Sequence, residues 1–146
     1  MKMEKVTVFL GGTCADSTWR EELMPMLNDN IDAFNPVVPD WNDEAAKREK
    51  AHRENDDICL YVITPEAEGF YSFVEVVDDS NKRPDRTALC VLFDANGKAF
   101  EGHMRKCVVK TAELVADNNV PVFTNLEDVA TYLNSYEKEE ENTFSK

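Results

Sequence analysis

The chain has 146 residues, enough for one domain with its own core, and its composition is that of a folded protein. A formal net charge of −13 opposes binding of long DNA or RNA, whose phosphates it would repel, but leaves a nucleoside or a single nucleotide open. No apolar run is long enough to span a bilayer, and Val6 to Leu10 is too short for a secretion core, so the expectation is no membrane partner and a reducing, cytoplasmic setting.

Taken in order, Val6 to Leu10 reads as a first strand closed by Gly11 and Gly12, which permit a sharp turn and a close backbone approach. Thr18-Trp19-Arg20-Glu21 has the form of a capping box. Trp19, Leu23, Met26 and Leu27 follow at helical spacing, with Pro25 set to shorten that helix. Ala33 to Val38 reads as a second strand, kept short or at an edge by Pro36. From Asn42 or Asp43 to about Asn55 runs a charged helix, mostly a solvated face. Within it Glu44 and Arg48, and Glu49 and Arg53, are spaced to pair.

Ile58 to Ile63 is a short, unbroken apolar run, the pattern of a strand buried on both faces. Thr64-Pro65 ends it. An acidic loop with Glu66, Glu68 and Gly69 leads to Ser72-Phe73-Val74-Glu75, a second S-x-x-E helix start. Thr87 to Phe93 is another apolar strand, and Asp94-Ala95-Asn96-Gly97 carries a turn signal. His103 to Asn119 is helical, Val120 to Phe123 a last strand, and the final helix starts at Thr124-Asn125-Leu126-Glu127. Residues 1–136 form one domain, and 137–146 read as an acidic, flexible tail.

Alternating strands and helices imply an α/β fold with a five-stranded parallel sheet between helical layers, in the order 2-1-3-4-5. In such sheets ligands sit beyond the carboxyl ends of the strands, at the switch point between strands one and three. Gly11 to Asp16 would then face Glu66 to Glu75.

Glu75 has two readings: a capping side chain for the Ser72 amide, or an ionised carboxylate at the cleft, able to attack an oxocarbenium-like carbon. Cys14 and Arg20 have the C-x5-R spacing of a phosphatase loop, but Asp16 would repel the phosphate. Against that reading, Cys14 packs and Arg20 lies on the surface. Cys59, Cys90 and Cys107 read as buried small hydrophobes, and no spacing suggests a metal. Asp57, at the amino end of its strand, reads as a capping or loop residue. Trp41 and Tyr71 could stack on a base or pack in the core.

Together VFLGGTCADSTWRE, FNPVVPDWN and ENDDICLYVITPEAEGFYSFVEVVDDSN resemble the nucleoside 2-deoxyribosyltransferase-like group, over roughly residues 6 to 93. The resemblance implies a flavodoxin-like, Rossmann-like three-layer fold, a homo-oligomer and no cofactor. It implies Glu75 as a nucleophile at the anomeric carbon of a nucleoside or mononucleotide, and Asp57 as a base-contacting residue with a catalytic part. Gly11, Gly12 and Thr13 would line the pocket, and Asp16, Trp41, Glu68, Tyr71 and Ser72 complete the substrate contacts expected. Two positions depart from the group's pattern: Phe9 stands where a tyrosine holds the nucleophile, and Gly69 where a loop aspartate holds the sugar. The resulting expectation is cleavage or transfer at an N-glycosidic bond, with a non-catalytic nucleotide-binding module as the alternative.

Overall fold

The computed structural model describes residues 4–14 and 17–138. Its main sheet is parallel and five-stranded, built from β1 (Val6–Gly12), β2 (Ile31–Phe34), β3 (Ile58–Ile63), β4 (Thr87–Val91) and β7 (Val122–Phe123), in the order β2-β1-β3-β4-β7. This is the expected 2-1-3-4-5 arrangement. The helices are α1 (Trp19–Leu23), α2 (Asp43–Asn55), α3 (Phe70–Lys82), α4 (Gly102–Asp117) and α5 (Leu126–Asn134). A small hairpin of β5 (Asp94–Ala95) and β6 (Lys98–Ala99) follows β4. Its turn places Asn96 and Gly97 at positive φ, the requirement that an Asn-Gly pair meets.

Side-chain alternation on the strands divides the core in two. Ile58, Leu60 and Val62 of β3 join Val8, Leu10, Trp19, Leu23 and the apolar face of α5 on one side. Cys59, Tyr61 and Ile63 join Phe9, Leu89, Val76 of α3 and Val108 of α4 on the other. All six β3 residues are buried, which is why that stretch carries no alternation of polarity. Gly12 passes so close to β3 that a Cβ there would lie 2.1 Å from the Val62 carbonyl oxygen. Next to it the Thr13 hydroxyl accepts from the Thr64 amide at 2.8 Å, pinning the two loops together at the carboxyl edge.

Several expected boundaries move. The second strand lies at Ile31–Phe34, not Ala33 to Val38, because Pro36 cannot donate to the ladder. The fourth ends at Val91 rather than Phe93, and the last pairs only through Val122 and Phe123. Pro25 does close α1, turning Met24–Met26 into a 3₁₀ segment. Thr18 makes no side-chain cap. Neither does Ser72: α3 begins two residues earlier, at Phe70, with Gly69 as its N-cap. Asn125 does cap α5, accepting from the Asp128 amide. Cys107 is exposed, not buried. Of the acidic tail, residues 139–146 lie outside the described part.

Candidate functional site

Two cavities open at the carboxyl edge of the sheet and meet at Gly69. The smaller, about 250 Å³, is lined by Gly11, Gly12, Cys14, Arg20, Pro36, Glu49, Gly69, Tyr71, Ser72 and Glu75. The larger, about 520 Å³, lies between the β3–α3 loop, the β5–β6 hairpin and the start of α4. Thr13, Glu66, Glu68, Phe73, Lys98, Phe100 and Met104 are among its walls.

Of the residues singled out in the sequence, the small cavity therefore gathers Gly11, Gly12, Tyr71, Ser72 and Glu75. Thr13 and Glu68 belong to the larger one. Trp41 lines neither and is 57% exposed. Asp16 lies outside the described residues. Asp57 is not brought to this edge. Its carboxylate accepts from the Thr7 amide at 2.8 Å and the Thr7 hydroxyl at 3.1 Å, and pairs with Lys138 at 3.3 Å, all at the amino end of β3. These are the contacts of a capping residue at the start of the strand, and Asp57 lines neither cavity.

The carboxylate that does share the cavity with Glu75 is Glu49, which the sequence left on a solvated helix. On α2 most charged side chains are exposed, but Glu49 and Arg53 turn inward. The i,i+4 spacing showed that they share a face; nothing local showed that the face looks at β1 and α3.

Cys14 and Arg20 form no anion cradle. Arg20 is only 2% exposed, not a surface residue. Its Nε donates to the Leu10 carbonyl at 3.0 Å and its Nη1 to the Thr13 carbonyl at 2.8 Å, where the Trp19 indole also donates. The guanidinium is committed to holding the turn after β1. Cys14 donates to the Gly12 carbonyl at 3.3 Å.

The cap reading of Glu75 fails on register. The Ser72 amide already donates to the Gly69 carbonyl at 3.2 Å, and Glu75 stands in the second turn of α3. There it loses the help of the helix N-terminus. Burial pushes its pKa up to about 7; Arg53 works against the rise, while Glu49 and Asp79 add to it. Burial also raises Glu49, with Arg20 and Arg53 opposing. Two half-buried carboxylates in one small cavity cannot both ionise easily.

The family profile described as "Nucleoside 2-deoxyribosyltransferase like" matches residues 5–91, more than half of the chain. This chain belongs to the nucleoside 2-deoxyribosyltransferase-like family. The matched span contains β1 to β4 and every residue of the small cavity. No curated protein matches the sequence. Among solved structures, a conserved protein from Enterococcus faecalis V583 has the same fold, with a TM-score of 0.54 at 13% identity, over 88% of this chain and 97% of its own. For this member of the family, no helix among the described residues is long and apolar enough to cross a membrane. No group of histidine, cysteine and carboxylate side chains among them is placed to hold a metal.

The raised Glu75 pKa makes a stability prediction that a capping role would reverse. Its folded value, about 7, exceeds the unsited value of 4.5, so the folded chain holds this proton more tightly than the unfolded chain does. The group's contribution is full below pH 4.5 and is lost as pH rises through 7. Glu75→Gln, which mimics the protonated form, therefore stabilises the protein at pH 8 by on the order of 1–2 kcal/mol, a rise of several degrees in Tm. Near pH 4.5 the two proteins melt together. Thermal melts of both proteins at the two pH values check this.

Proposed function

We propose that the protein cleaves or transfers at the N-glycosidic bond of a nucleoside or mononucleotide, with Glu75 as nucleophile and Glu49 as proton donor. The observation that carries the proposal is the pair of half-buried carboxylates, on two different helices, lining one small cavity at the switch point. Family membership supports a nucleoside-type substrate. A single proton on the pair is the charge state the first step needs: one carboxylate free to attack, one carboxyl able to give.

In that step an oxygen of Glu75 bonds to C1′ as the C1′–N bond breaks. The bonding pair leaves with the base, and Glu49 passes its proton to a base nitrogen. In the second step water attacks C1′ of the glycosyl ester and gives its proton to Glu49, while the C1′–O bond to Glu75 breaks and its pair returns to the Glu75 carboxylate. A second base in place of water makes the reaction a transfer. Tyr71 and Ser72, which line the cavity at the start of α3, would contact the sugar. Gly11 and Gly12 form a wall of the cavity, and the side a Cβ would take on each is filled by Phe9 and Tyr61 or by the Val62 backbone, so the turn can lie close against β3.

A second reading, binding without turnover, draws on Phe9 and Gly69. Phe9 has no hydroxyl for the nucleophile, and Gly69 puts no side chain on the ridge between the cavities. The two readings part in one assay. A panel of nucleosides and mononucleotides, with and without an acceptor base, is followed by chromatography for free and exchanged base. The catalytic reading expects release that Glu75→Gln lowers at least a thousandfold. Glu49→Gln slows release of neutral bases far more than of a base already cationic by N-methylation, which needs no proton. Ligand retained through purification with no base released on any member of the panel favours binding alone.

Self-association belongs to the same proposal. Phe70, Tyr71 and Val74 expose a contiguous apolar strip of α3 beside the small cavity. Sedimentation at micromolar concentration is expected to show an oligomer; a monomer throughout removes this part of the proposal.

A further inference from the structure

Behind Glu75 lies a buried polar cluster that the chemistry above does not use. Asp79, one turn further along α3, is fully buried. Tyr61 of β3 donates its hydroxyl to Asp79 Oδ2 at 2.5 Å, and Arg83 donates to Oδ1. Arg53, in the last turn of α2, reaches in from the other side. Its Nε donates to the Tyr61 hydroxyl at 3.0 Å and to Asp79 Oδ2 at 3.2 Å. Its Nη2 donates to Asp79 Oδ1 and Asp78 Oδ2, both at 3.0 Å, and to the Glu75 carbonyl at 3.5 Å. The same Nε lies 3.8 Å from Glu75 Oε2.

We infer that Arg53 is the positioning residue for the Glu75 carboxylate, held in place by the buried Tyr61–Asp79 pair. The inference rests on the glycosidic reading of the site. Arg53 is the one cation paired with Glu75 among the described residues. Phe9, packed edge-on against Tyr61, offers no donor, and the Tyr61 hydroxyl is committed to Asp79. The geometry is more specific than charge balance for Asp79, which already has Arg83 and Tyr61. The fork of the guanidinium is filled by Asp79, Asp78 and Tyr61, so Glu75 receives the field of the cation and only a loose contact. A bidentate pair would tie up both carboxylate oxygens and blunt the nucleophile. A cation fixed at 3.8 Å favours the ionised form, restricts the rotamer and leaves an oxygen free to attack.

The groups around Glu75 are Arg53 and Glu49 from α2, Asp79 from its own helix, Cys14 from the turn after β1 and Arg20 from α1. Of these, Arg53 is the one that lowers its pKa. Removing Arg53 should therefore move the titration of Glu75 upward and move the acid limb of activity with it. A purely structural role would move neither.

The experiment follows the Glu75 side-chain carboxyl by carbon-13 NMR, assigned by its loss in Glu75→Gln, beside the pH profile of kcat/KM. Arg53→Met is expected to raise the Glu75 midpoint by about one pH unit, with the acid limb moving equally. Turnover at pH 7 should fall at least tenfold with little change in KM. Arg53→Lys should return the midpoint close to wild type while recovering only part of kcat, because an ammonium cannot fill the fork. Since Arg53→Met strips a cation from buried Asp79, the double variant Arg53→Met/Asp79→Asn is read against Asp79→Asn for the same upward shift. A midpoint and acid limb that stay put in folded Met variants overturn the inference while leaving the glycosidic reading intact. Absence of cleavage by the wild type removes that reading, and the titration still decides whether Arg53 acts on Glu75.

Discussion

Asp79 is a carboxylate that water does not reach, and the arrangement around it follows from that. Taking a charge of this size into a protein interior unpaired costs several kcal/mol. Two guanidiniums and a phenol meet it, from α2, from the end of α3 and from β3. The Thr87 hydroxyl, at the start of β4, is anchored to the Arg83 carbonyl at 2.8 Å, just past the end of α3. One buried charge thus fixes how α2 and α3 sit on the same face of the sheet. Between those two helices, one turn closer to the carboxyl edge, lies the small cavity. Glu49 and Glu75 face it because their helices are clamped at Arg53 and Asp79, four residues further along each chain.

The site works against the stability of the fold. Burial holds Glu75 near neutrality, Glu49 shares its cavity, and Arg53 offsets only part of the cost. A protein selected for stability alone would have a glutamine or an apolar residue at this place. Such strain in a cleft, at the switch point of an α/β sheet, supports the proposed site. The turn after β1 shows the opposite economy. Arg20 is buried as well, but every carbonyl it meets is paired, and it stiffens the loop that forms one wall of the cavity.

Much of this was legible in the sequence. The run Ile58 to Ile63 has no polar position, so it had to be a strand covered on both faces, and the alternation of elements fixed the sheet order around it. Glu75 was legible as a carboxylate at the ligand edge. Its local role was not, because S-x-x-E is satisfied equally by a helix that starts at Ser72 and by one that starts at Phe70. The structure chose the second, and burial then replaced the helix terminus as the main influence on the group. Glu49 was hidden by composition: in a helix where nearly every side chain is charged, periodicity does not reveal which face turns inward. The place of Asp57 was legible from topology, since it stands at the amino end of β3 and away from the cavity that holds Glu75. Partners brought together by the fold across 26 residues, such as Arg53 and Asp79, leave no local signal at all.

The central claim is that Glu75 forms a covalent bond to a sugar carbon during turnover. The most direct measurement is mass spectrometry of the protein quenched in acid during reaction with a 2′-deoxynucleoside, followed by peptide mapping. The account predicts the mass of one deoxyribosyl group on the peptide that contains Glu75, absent in Glu75→Gln and discharged when acceptor base or time is allowed. Base release at the wild-type rate with no adduct on that peptide, or an adduct on Glu49 instead, would contradict it.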